Sequence, residues 1–220
     1  MKLLTWNVGL VGLGATLFLS GAGMRVCAQI MLAQTEARLL QSRPDSPANL
    51  PAAAHPVTPA DAAPTRISIP ALGLWNTLTP VDEQAQMQDN TISLTWAVAD
   101  SGWYVQSGWP GWGGNVVIAG HSPSQDPATW SHSIFRQLAY LSPGNHIDVT
   151  AGNRTYTYVV STVFAISAQG SQLPAAAAWL ARGKTERLTL ITCWPPNTAA
   201  YRVVVIAQPV SLSQITEHKS

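Results

Sequence analysis

From position 66 onward, apolar and polar side chains alternate in short runs that Gly, Pro and Asn interrupt. Arg66-Ile67-Ser68-Ile69 reads as a half-buried strand closed by Pro70. Further strand-like runs fall at Val116–Ala119, His146–Thr150, Thr155–Thr162, Leu188–Thr192 and Arg202–Ala207. Pro143-Gly144-Asn145, Gly152-Asn153 and Pro195-Pro196-Asn197 mark turns between them. The pattern predicts only two short helices. One is Ser133–Leu141, with Ile134, Leu138 and Leu141 on one face. The other is Pro174–Arg182, opened by Pro and followed by Gly183. Many short strands with few helices imply a mainly β fold, an antiparallel barrel or a sandwich.

The N-terminal third has a different pattern. No charged side chain lies between Lys2 and Arg25, and Leu3 to Met24 approaches the ~20 apolar residues that cross a bilayer as a helix. A cleaved signal peptide is the rival reading, but the stretch is long for an h-region and no Ala-x-Ala site follows. Val26 is too large to precede a lipidated cysteine at Cys27. Residues 29–40 have helical composition and would extend the anchor beyond the membrane. Pro44, Pro47, Pro51, Pro56, Pro59 and Pro64 then make a stretch expected to be extended and semi-rigid, with His55 solvated inside it. The expected organisation is therefore an anchor helix over 1–42, a Pro/Ala-rich linker over 43–65, a β domain over 66–209 and a polar tail over 210–220. Charge bias around the anchor is weak: Lys2 stands against Arg25, Arg38 and Arg43.

Composition narrows the function classes. A net charge of +1 with no block of Lys or Arg argues against a nucleic-acid partner. Only 10% of residues are charged, and the sparse Asp and Glu form no cluster that would hold calcium. No cofactor or metal is expected. Two cysteines make no disulfide framework, and Cys27 lies beside the apolar N-terminal segment, so Cys193 is read as a free thiol.

Cys193 ends the apolar run 188–193, and Arg202 opens the next run after a short Pro-rich loop. Antiparallel pairing is the default for so short a connection, and it would make Cys193 and Arg202 neighbours at one sheet edge. His121 ends the apolar run 115–120 and joins them if its strand lies alongside, parallel to that of Cys193. The residue types suit covalent catalysis. A thiol with an ordinary pKa of about 8.5 needs a cation or base to become a nucleophile. A histidine can take that proton and return it to a leaving amine. An arginine is charged at any working pH and can hold an oxyanion. Taken singly, each residue has a plainer reading: a small buried hydrophobe, a turn histidine and an edge charge.

Together they resemble the sortases, membrane-anchored cysteine transpeptidases of Gram-positive and related bacteria. The resemblance rests on Val117-Ile118-Ala119-Gly120-His121 and on Thr189-Leu190-Ile191-Thr192-Cys193 with Arg202 downstream. It also takes in Arg66-Ile67-Ser68-Ile69-Pro70, Gly102-Trp103-Tyr104, Phe135-Arg136-Gln137-Leu138 and Pro143-Gly144. It implies a closed eight-stranded β-barrel with His121, Cys193 and Arg202 as catalytic residues, and places Thr192 and Trp194 as candidate substrate contacts. It implies partners as well: secreted proteins with a C-terminal LPXTG-like sorting signal, and an amine acceptor on a cell-wall precursor or a pilin. The implied location is the cell membrane, single-pass, with the catalytic domain extracytoplasmic. The form looks closest to classes D, E or F. Ser122, the polar insert Pro123–His132 and the stiff Trp194-Pro195-Pro196-Asn197 loop depart from the commonest patterns. Two other readings compete: a cysteine peptidase that releases its acyl group to water, and a catalytically silent envelope adaptor.

Other polar and aromatic residues have structural readings. His132 is read as a loop residue and His146 as a strand-start surface residue. Gly111-Trp112-Gly113-Gly114 is read as a loop, since no Lys-Ser/Thr follows to complete a phosphate cradle. Trp103, Trp109, Trp112 and Trp194 fit either a peptide groove or core packing.

Overall fold

The computed structural model describes residues 21–46, 60–88, 91–96, 100–122, 132–168, 178–196 and 200–210. The chain divides into two compact units, 1–38 and 39–220. Within the first, the described residues belong to helix α1, Gly21–Gln41. No described helix is long and apolar enough to cross a membrane. Positions 1–20 of the expected anchor lie outside the described residues.

The second unit is built on β1 (Pro64–Ile69), β2 (Leu74–Thr77), β3 (Thr79–Val81), β4 (Glu83–Gln88), β5 (Thr91–Trp96), β6 (Ser101–Tyr104), β7 (Asn115–Gly120), β8 (His146–Ala151), β9 (Arg154–Ser167), β10 (Arg187–Trp194) and β11 (Tyr201–Pro209). Nine of these form one sheet in the order β2-β1-β8-β9-β11-β10-β7-β6-β3, while β4 and β5 pair as a separate hairpin. The two ends of the large sheet are consecutive in sequence, separated only by Leu78. The Leu78 N–H donates to Thr65 O at 2.8 Å, continuing the β1 side. The Thr79 hydroxyl donates to Ser101 O at 3.2 Å, opening the β6 side. A single bent run thus pairs with β1 at its start and β6 at its end, and the sheet curls into a nearly closed barrel. The eight-stranded expectation differs from the nine segments by this one break. Pairing is antiparallel except at β10–β7 and β3–β6.

The apolar runs of the central strands reflect burial on both faces. Val116, Ile118, Leu188, Leu190, Val203 and Val205 fill the barrel interior, with Phe135, Tyr158 and Trp194. Their alternates, Ala119, Ile191, Val204, Ile206, Phe164 and Ile166, form a second cluster on the outer face under Trp179. Trp179 meets Phe164 edge-on at 4.6 Å between ring centres. It lies on the helical turn 178–180, the described end of the predicted Pro174–Arg182 helix, and Gly183 takes the left-handed conformation just beyond, at φ 63°. The Asn115 amide fastens this turn by donating to Trp179 O at 3.0 Å and Ala181 O at 3.2 Å, and it accepts from the Thr189 hydroxyl at 2.6 Å.

The predicted Ser133–Leu141 helix is instead a run of turns with a 3-10 segment, Leu138–Tyr140. The N–H groups of Arg136, Leu138, Tyr140 and Leu141 all bond three residues back, and Phe135 N–H leaves the segment for His121 O. Leu138 and Leu141 still face the core. The Gly-rich loop does hold an anion, but the chain's own. Gly111 and Gly113 N–H donate to the two Glu186 carboxylate oxygens at 2.9 and 3.3 Å, and Tyr158 OH donates at 2.9 Å. Burial first, then the Glu186 charge, pushes the Tyr158 phenol well above its ordinary pKa, which keeps it a donor.

The residues just before the Pro-rich stretch and its described C-terminal part both rest on the barrel. Leu39 belongs to the interior cluster, and the Thr162 hydroxyl donates to Ser42 O at 3.4 Å. At the other end Ala60 is buried, its N–H on Pro110 O at 2.8 Å and its O on Trp112 Nε1 at 2.6 Å. The folded core therefore begins before Arg66.

Candidate active site

Three neighbouring strands bring the candidate residues together. In the β10–β11 ladder Cys193 and Arg202 are direct partners. In the parallel β10–β7 ladder Ile191 partners Ala119, so two residues further on Cys193 is level with His121. Neighbouring strands lie about 4.8 Å apart, and residues at matched positions project to the same face. His121, Cys193 and Arg202 therefore form a row across β7, β10 and β11. Ala119, Ile191 and Val204 identify that face as the outer one, because they precede the row by two residues or occupy its next outward position. His121 is exposed, while Cys193 and Arg202 are half-buried. Both Cys193 and Cys27 are free thiols.

The row is held from below. The Thr192 hydroxyl donates to Gly120 O at 2.8 Å, bracing the end of β10 against the end of β7. His121 lies just past β7, where its N–H donates to Asp100 O at 3.3 Å and its O accepts from Phe135 N–H at 3.1 Å. On the other flank, Arg202 Nη1 donates to Tyr201 O at 3.2 Å. Gly120 is a glycine because the Phe135 ring lies over it: a Cβ there would be 2.6 Å from Phe135 Cδ2. A Gly120→Ala variant must displace that ring and, with it, the backbone bond that Phe135 makes to His121. The expected outcome is a loss of about 1–3 kcal/mol in stability and of about tenfold or more in turnover, read by thermal unfolding and by peptide cleavage. Turnover within twofold of wild type would refute this account of Gly120.

Thr192 and Trp194, the candidate substrate contacts, project to the opposite face from Cys193. Thr192 is spent on Gly120, and Trp194 is 2% exposed inside the barrel, edge-on to Tyr140 at 6.4 Å. Trp103 is buried as well, edge-on to Trp109 at 5.6 Å with its Nε1 on Gly108 O at 3.2 Å. Trp112 is exposed but tied to Ala60. Of the two readings left open for these tryptophans, Trp103, Trp109 and Trp194 take the packing one. Among the described residues no group of three or more His, Cys, Asp or Glu could hold a metal ion. Residues 123–131 and 197–199, from the two unusual loops, lie outside the described residues.

The family model of the sortase domain matches residues 67–210. The chain belongs to the sortase family. Among solved structures, sortase A of Listeria monocytogenes is similar over 69% of this chain and 89% of its own, at 19% identity and a TM-score of 0.50. The sortase C2 of group B Streptococcus pilus island 1 is similar over 67% of this chain and 73% of its own, at 18% identity and a TM-score of 0.50. A sortase D5 transpeptidase of Clostridium perfringens covers 70% of this chain and 83% of its own, at 19% identity and a TM-score of 0.49. At such identities the likeness is one of fold. No curated protein matched the chain in sequence comparison. The sortase fold accounts for the curled sheet, and the sortases as a family are cysteine transpeptidases.

Proposed function

We propose that this sortase cleaves an LPXTG-like sorting signal through a thioacyl intermediate on Cys193 and transfers the cleaved protein to an amine of the cell wall or a pilin. The observation that supports the reading is the row itself: a free thiol flanked on one side by a histidine and on the other by an arginine, on one face of three paired strands. The Cys193 thiolate attacks the carbonyl carbon of the motif's threonine, and the electron pair that moves onto oxygen is held by Arg202. The C–N bond breaks as His121, protonated, gives its proton to the leaving amine. An acceptor amine then attacks the thioester, neutral His121 takes the amine's proton, and the thiolate leaves. The segment from Leu3 to Met24 would hold the enzyme in the cell membrane with the barrel outside.

The test is a panel of LPXTG-type peptides incubated with the full chain, with and without triglycine. Ligated product that replaces hydrolysed product when the amine is added supports the transpeptidase. Hydrolysis indifferent to the amine would make the chain a cysteine peptidase, and no cleavage of any peptide would favour the adaptor.

A further inference from the structure

His121 stands one residue past the end of β7, so no ladder bond beyond Gly120 fixes it. Its backbone is held by two chain segments that are remote in sequence. Asp100, which precedes β6, supplies the carbonyl that accepts His121 N–H at 3.3 Å, and Phe135 supplies the N–H that meets His121 O at 3.1 Å. A side-chain contact joins these two segments: His132 Nδ1 lies 2.7 Å from Asp100 Oδ1. An ionised carboxylate can only accept, so the Nδ1 carries the proton and donates. Two residues separate His132 from Phe135, and none separates the Asp100 carboxylate from the carbonyl that holds His121. The pair therefore closes a ring of contacts around the His121 backbone: Asp100 to His121, His121 to Phe135, and His132 back to Asp100.

We propose that Asp100 and His132 are a positioning pair for His121, fixing the backbone from which its imidazole reaches the Cys193 row. Side-chain exposures of 67% for His132 and 39% for Asp100 make this contact a weak contributor to global stability. Its effect is local. It ties the chain returning at His132 to the strand that enters at Ser101, and so keeps Phe135 N–H within reach of His121 O. A loosened imidazole loses the geometry that proton transfer to the leaving amine requires, while the outer face that receives the peptide is left as it was.

The importance of this placement for turnover rests on the transpeptidase reading; the placement itself does not. The experiment therefore has two arms in the full chain, with His132→Ala, His132→Asn, Asp100→Ala and the double Asp100→Ala/His132→Ala variant. The first arm is backbone hydrogen exchange. His132→Ala is expected to speed exchange at the His121 and Phe135 amides by about tenfold, with Leu190 and Val204 amides and the melting temperature unchanged. The second arm is peptide turnover, in which kcat falls by about tenfold with KM unchanged. His132→Asn keeps an N–H donor near the Nδ1 position and is expected to restore both. The double variant is expected to be no worse than either single one, because they break the same contact. Unchanged exchange at His121 and Phe135 in His132→Ala, no rescue by Asn, or a loss that appears in KM or in the melting temperature would overturn the proposal. If the wild type turns over no peptide, the transpeptidase reading fails while the exchange arm still decides the pair.

Discussion

A Cys193→Ala variant is expected to fold like the wild type and to cleave no sorting peptide. Cys193 projects from the outer face of β10, away from the interior cluster that Leu188, Leu190 and Trp194 fill. Removing its sulfur deletes no interior contact, so the melting temperature should stay close to that of the wild type. The chemistry, by contrast, has no substitute: without the thiolate no covalent acyl group can form. Removing a covalent nucleophile elsewhere costs on the order of 10⁴–10⁶ in rate, and a fall of that size in peptide cleavage is expected here. Cleavage at more than a small fraction of the wild-type rate would mean that Cys193 carries no acyl group.

Arg202→Ala should lower kcat by about 10²–10³, the usual effect of removing one oxyanion-binding donor. The residue is the direct cross-strand partner of Cys193, half-buried, and fixed to the backbone of its own strand through Tyr201 O. A substitution there leaves the interior residues Val203 and Val205 in place, so the loss belongs to the reaction rather than to folding. Arg202→Lys should restore little, because an ammonium lacks the planar fork that fixes the guanidinium in one orientation. Steady-state kinetics on the same peptide, with KM and kcat resolved, checks both variants. An alanine variant within twofold of wild type would remove Arg202 from the reaction.

How much of this was legible in the sequence depended on how local its causes are. The run Leu188–Cys193 and the run that Arg202 opens are joined by a short connection, and short connections favour hairpins, so their adjacency could be read directly. The parallel placement of the His121 strand could only be posed as a condition, because strand order is set by pairing across the whole sheet; the β10–β7 ladder is parallel. The turns over 134–140 carry an apolar spacing that predicts one helix. Apolar spacing there satisfies either form, and the deciding event is remote: Phe135 N–H bonds His121 O. The resemblance makes Thr192 and Trp194 candidate substrate contacts, yet strand alternation sends these neighbours of Cys193 to the opposite face. The Glu186 anchor in the Gly-rich loop and the Asp100–His132 contact link residues 73 or more and 32 positions apart, which no local pattern signals. The same holds for Leu39, whose burial in the interior cluster depends on a barrel assembled from residues far downstream.

The central claim is that Cys193 carries the acyl group, and intact-protein mass spectrometry tests it most directly. The full chain is incubated with an LPXTG-type peptide, quenched in acid and digested to locate any adduct. The expected result is a mass increase equal to the peptide acyl fragment, confined to Cys193 and discharged to ligated product when triglycine is added. Peptide turnover with no adduct on Cys193, or an adduct that persists in the Cys193→Ala variant, would contradict the account.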